Sequence, residues 1–189
     1  MKPTHQSTRR YLLLFGTAFS AALLASSPIG AQATNCATVK ATSLKMFDVP
    51  YHMYMIDSGA ANEALNGGKP TAGEVISAGG QMYVLHKGKW LKSPVSLAEL
   101  KKDQNDSPDS TKVTCSHLRD ESVNGEAAAV WRSHVVNDVG TIDSDMWISK
   151  SRGVLLKSVS MTDVGGAMGK SSVSARYDYT NVRPPAGVP

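Results

Sequence analysis

From position 51 onward the chain alternates apolar and polar residues with the two-residue period of a β-strand, whose successive side chains face opposite sides. The alternation is most regular from Ala128 to Met161. Val130, Arg132, His134 and Val136 interleave with Trp131, Ser133 and Val135, and Asn137 to Gly140 then supplies turn residues. Ile142 to Ser149 alternates again, setting Asp143 and Asp145 on the side of Trp147 with Met146 and Ile148 opposite. A turn at Ser151-Arg152-Gly153 leads into a further strand from Val154 to Met161. Short alternating runs joined by tight turns predict an antiparallel meander.

The flanking sequence extends the same sheet. Tyr51 to Ile56 is apolar or aromatic on both sides, which predicts a strand covered on both faces. Glu74 to Ala78 and Gln81 to His86 flank the two-residue turn Gly79-Gly80, and Lys87-Gly88-Lys89 turns the chain again into Trp90-Leu91. Val113 to Leu118 reads as a strand, Asn124-Gly125 is the strongest hairpin signal, and Ser172 to Tyr179 is the last strand. One helix is expected from Asn35 to Lys45, capped by Asn35 and stopped before Pro50. A short one from Ser96 to Lys102 has Ser96 as its cap and Glu99 at the capping-box position. Ser58 to Thr71 and Asp103 to Thr111 read as loops. The sum is eight to ten antiparallel strands and two helices: a mainly β (α+β) chain built on a single sheet with helical cover.

Residues 1–33 break the pattern. Lys2, Arg9 and Arg10 precede an apolar run from Tyr11 to Ala25, and Ala31-Gln32-Ala33 offers a small-x-small cleavage site, the three-part form of an export signal. The run of 15 residues is shorter than the roughly 20 needed to span a bilayer. The expectation is therefore cleavage near Ala33 and a single domain over 34–189, periplasmic or secreted, rather than an integral membrane protein. The paired Arg9-Arg10 leaves the route open between general secretion and the twin-arginine pathway. Cleavage also changes the charge. Of 20 basic residues three precede position 34, leaving 17 against 16 acidic ones, so the basic balance of the whole chain does not point to nucleic acid. Cys36 and Cys115 are the two cysteines, and in an oxidising compartment a disulfide between them is the expected pairing.

Residue types that carry chemistry are scattered. In GGAMGKSS, Val164 occupies the position where a phosphate loop needs its first glycine, and the residues that follow alternate like a strand. His52, His86, His117 and His134 fall on separate strands with no HxH or HExxH spacing, so no metal centre is expected. His52-Met53-Tyr54-Met55 offers soft ligands that copper would accept, but methionine is also a pliable filler of apolar interiors. Asp143 and Asp145 share a strand face, as a general acid–base pair would; beside a hairpin turn they suit a solvated face better. No GxSxG elbow occurs. No catalytic residue and no cofactor is expected. The cluster His86 to Lys92, three lysines around Trp90, fits anionic headgroups, an acidic partner, or a solvated turn whose tryptophan packs back on the sheet.

The segment Trp147 to Met161, WISKSRGVLLKSVSM, resembles the strand–turn–strand hairpin of LolA/LolB-like periplasmic lipoprotein carriers. Pro50-Tyr51-His52, the Lys-Gly-Lys-Trp turn at 87–90 and the closing Tyr177 to Val182 come in comparable order, so the likeness runs over about 45–182. It implies a curved, incomplete barrel closed by helices around an apolar cavity for acyl chains. Trp147, Ile148, Val154 and Leu155 match the hairpin. With Met53, Met55, Val84 and Trp131 on neighbouring strands they are the candidates to line that cavity. The implied role is non-catalytic binding of a lipid or lipoprotein acyl chain. The alternatives are an envelope protein-interaction or sensor module on the same fold, and a copper handler.

Overall fold

The computed structural model describes residues 31–59, 63, 67, 69–106, 112–138, 140–165 and 169–188. The expected export signal before residue 31, and residues 166–168 of the rejected phosphate loop, lie outside them. Helix α1 (Ala31–Met46) precedes strands β1 (Tyr51–Gly59), β2 (Thr71–Ala78), β3 (Gln81–His86) and β4 (Lys89–Lys92). Helix α2 (Leu97–Asp106) leads to β5 (Lys112–Val123), β6 (Glu126–Asn137), β7 (Gly140–Ser149), β8 (Leu155–Asp163) and β9 (Lys170–Asp178). The nine strands form one antiparallel sheet in the order β4-β3-β2-β1-β9-β8-β7-β6-β5. β4 and β5 remain its two edges, so the curved sheet is an unclosed barrel.

The turns follow from their residues. Gly79-Gly80 (φ 61° and 75°), Lys87-Gly88 (49° and 74°) and Asn124-Gly125 (51° and 84°) all carry positive φ at both central positions. That is the hairpin turn whose twist matches the strands it joins. Register shifts between His117 and Arg119 and between Trp147 and Ile148 are bulges that increase local twist and help the sheet curl. Gly140 lets β7 start against the end of β8, because a Cβ there would fall 2.1 Å from the Asp163 carbonyl oxygen.

Alternation gives the sheet two unlike faces. The register aligns Val84, Val75, Met53 and Tyr177 across β3, β2, β1 and β9 on one side. On that same side it aligns Ala175, Ser158, Met146, Trp131 and His117 from β9 to β5. Helix α1 packs on this inner face, where its Val39 and Met46 join Tyr51, Met53, Val75, Met146, Ile148, Leu155 and Tyr177 in the main core. The Cys36–Cys115 disulfide, with Cα atoms 5.0 Å apart, pins α1 to β5 across 79 residues of sequence. Closing such a loop is worth on the order of 4 kcal/mol. Thr42 and Ser43 are buried beside Val39, so α1 is placed by the disulfide and core contacts rather than by a strongly amphipathic surface.

Three expectations change. The outer side of β1 is not closed over: Tyr51 and Met53 are buried inward, while Ile56 is 53% exposed. Helix α1 begins at Ala31, ahead of Asn35. Helix α2 runs past Lys102 to Asp106, shortening the expected polar loop, with a Lys102–Asp106 ion pair of 2.8 Å one turn apart in its last turn. Its start is as expected: the Ser96 N–H and hydroxyl donate to Glu99 at 2.8 and 2.7 Å, and the Glu99 N–H donates to the Ser96 hydroxyl at 3.2 Å.

Candidate functional site

The inner face gathers most of the sequence-predicted cavity residues. Met53, Ile148, Val154 and Leu155 belong to the main core, and Met55, Val84 and Trp131 pack against it half-buried. Trp147 does not share that face. It points outward, buried with Ala128, Val130 and Leu156 in a second, smaller core, and its Nε1–H donates to Glu121.

The inner face also carries hydroxyls that the hydrophobic reading passed over. Ser144 and Ser160 bond each other at 2.8 Å across β7 and β8. Ser133, directly opposite Ser144 on β6, is fully buried, and its Oγ has no hydrogen-bond partner among the described residues. Tyr51 and Tyr177 meet edge to face at 5.6 Å between ring centroids. Burial pushes the Tyr51 hydroxyl up to about 12 and raises that of Tyr177 well above its ordinary value. The signal was present in the sequence: Ser133, Ser144 and Ser158 occupy inward positions of the alternation.

Where the C-terminal end of α1 meets the β7–β8 turn, a groove of about 450 Å³ opens. Val49, Pro50, Val154, Val182 and Tyr179 give it an apolar wall, and Lys45, Ser151 and Arg152 its polar rim. Its parts are fixed by local bonds. Lys45 Nζ donates to the Arg152 carbonyl at 2.5 Å. The Arg152 guanidinium holds Glu126 through Nε at 2.9 Å and Nη2 at 2.5 Å, and lies 4.7 Å from the Tyr179 ring centroid. That guanidinium keeps the Glu126 carboxyl below its usual range. Tyr179 donates its hydroxyl to the Leu155 carbonyl, and burial raises its pKa strongly. The groove has an apolar wall and a charged rim.

The remaining candidates sit on the outer face or edge. His52 Nε2 is 2.9 Å from Glu74, His117 Nε2 is 3.0 Å from Asp120, and His134 Nδ1 is 2.8 Å from Asp143. Asp145 accepts two bonds of 2.7 Å from Arg132. Asp143 and Asp145 thus each face a basic partner across β6 and β7 rather than each other. Among the described residues no group of three or more His, Cys, Asp or Glu could hold a metal ion. Trp90 packs back against Ile76, Ala78 and Tyr83, while Leu91 and the lysines of β4 stay exposed.

No family model and no curated protein matches the sequence. Among solved structures the chain is similar to LprF from Mycobacterium bovis, at 11% identity and TM-score 0.39, over 79% of this chain and 93% of that one. It is similar to the hypothetical lipoprotein YmcC from Escherichia coli, at 14% identity and TM-score 0.35, over 76% and 97%. A DUF1329 family protein from Desulfovibrio piger follows at 10% identity and TM-score 0.30, over 85% and 96%. At these scores the likeness carries no functional argument.

Proposed function

We propose that this chain is a non-catalytic envelope protein that holds a hydrophobic ligand, a lipid or a lipoprotein acyl chain, against the helix-covered face of its half-barrel. The observation that carries the reading is the groove of about 450 Å³, within the size range of small-molecule sites. It is continuous with the core, because Val154 belongs to both. Displacing the C-terminal end of α1 would extend the groove onto Met53, Met55, Val84, Trp131, Ile148 and Leu155, with Trp147 bracing the hairpin from the other side. The disulfide would hold the helix at its other end, and it suits an oxidising compartment reached after cleavage near Ala33. No described helix is long and apolar enough to cross a membrane.

Delipidated protein is expected to take up a fluorescent fatty acid or phospholipid saturably, and native mass spectrometry of freshly isolated protein to show a co-purifying lipid. Absence of both sinks the proposal. A second reading, an interaction module with a filled interior, is favoured by the close packing of Val154 and Leu155, exposed by only 2% and 1%. It predicts no lipid uptake and a stable complex with another envelope protein.

A further inference from the structure

The outer face carries two cations that the proposed lipid site does not use. Lys157 on β8 and Arg176 on β9 are registered partners, directly opposite each other on antiparallel strands. Like charges in that position repel, their Cβ atoms being about 5 Å apart. Both side chains are exposed. Each lies over an aromatic ring on the strand beyond. Lys157 Nζ is 4.5 Å from the Trp147 ring centroid, and Arg176 Cζ is 3.9 Å from that of Tyr54. The two heads therefore splay apart onto separate platforms and leave the space above the β8–β9 pair between them.

Both platforms are rigid. Tyr54 stacks on His52 at 4.1 Å, bonds its Nδ1 at 3.0 Å, and His52 is held in turn by Glu74. Trp147 is buried and tied to Glu121. The surrounding carboxylates are engaged elsewhere: Glu74 with His52, Glu121 with Arg119 and Trp147, Asp145 with Arg132, and Asp178 with the Thr180 N–H at 2.8 Å. Among the described residues none of the ion pairs reaches Lys157 or Arg176. Among the described residues each of these cations rests on its own ring without a carboxylate partner, and together they flank the space above the β8–β9 pair, where an anion can lie between them.

We propose that Lys157 and Arg176 form a binding site for a phosphate group, a mono- or diester, on the outer face of the sheet. The guanidinium fork takes two phosphate oxygens and the ammonium a third as a point charge. The two cations come together only in the folded sheet, so an anion bound between them stabilises the fold.

The test uses the whole mature protein. Intrinsic fluorescence reports directly, since Trp147 lies under Lys157. Glycerol phosphate, inorganic phosphate and vesicles of phosphatidylglycerol are titrated at constant ionic strength, with phosphatidylcholine vesicles and chloride as controls. The expected result is a saturable change in emission and a raised Tm with at least one phosphate source but not with chloride. Lys157→Gln and Arg176→Gln are each expected to weaken it roughly fivefold, and the double substitution to abolish it. A response to glycerol phosphate or inorganic phosphate assigns a soluble phosphate ligand. A response confined to phosphatidylglycerol vesicles assigns a lipid headgroup. If no source binds, or the double variant binds like the wild type while keeping its Tm in chloride, the proposal fails. Lipid uptake at the inner face is unaffected by these outer-face substitutions, so loss of phosphate binding with uptake intact separates the two sites.

Discussion

The inner and outer faces of this sheet are built by alternate residues of the same nine strands, and they are held by different forces. The inner face packs Met53, Val75, Met146, Ile148, Leu155 and Tyr177 against α1 and keeps its few hydroxyls bonded or buried. The outer face has two small apolar clusters, and around them the Arg132–Asp145, His52–Glu74 and His134–Asp143 pairs. Apolar burial contributes in proportion to area removed from water, whereas an exposed ion pair gains little over its hydrated state. The contrast teaches that stability is concentrated inside, and that the outer face can spend its side chains on recognition.

Breaking the link that defines the inner face should have the largest effect. Replacing Cys36 and Cys115 by serine is expected to lower the unfolding free energy by about 4 kcal/mol in denaturant titrations. A loss under about 1 kcal/mol would mean that packing alone holds α1. Next comes Leu155→Ala, a fully buried residue at 1% exposure, expected to cost about 3 kcal/mol in the same assay.

The third test is alkaline. Burial holds the Tyr51 hydroxyl up near about 12 in the fold, against about 10 in the unfolded chain. The stability this contributes is complete below pH about 10 and is lost as pH rises toward the folded value. Denaturant midpoints measured from neutral to strongly alkaline pH should fall steeply in that window, and less steeply in Tyr51→Phe. An unchanged slope would mean the hydroxyl is hydrated in the fold.

The smallest effect belongs outside. Asp145→Asn should cost less than about 1 kcal/mol, and less still at high salt. If it rivals Leu155→Ala, the division between the faces is mistaken.

Much of this was legible in the sequence because it is local. The period of two located the strands, and Asn124-Gly125 and Gly79-Gly80 located turns, since positive φ at both central positions selects those residues. The capping box at Ser96 worked for the same reason. The cavity residues were less legible. Alternation already set Trp147 and Ile148 on opposite sides, and the bulge between them leaves both buried, each in a different core. A family likeness grouped them where the backbone keeps them apart.

By itself the sequence determined the element types, the two faces of each strand and the one cysteine pairing available, because each depends on near neighbours or on counting. Only the tertiary structure decided which face α1 covers, that β9 returns to pair with β1, and that Lys157 comes to lie opposite Arg176. Those depend on strand order and register between segments far apart in the chain. A pattern with period two specifies sides, but it says nothing about which strands become neighbours.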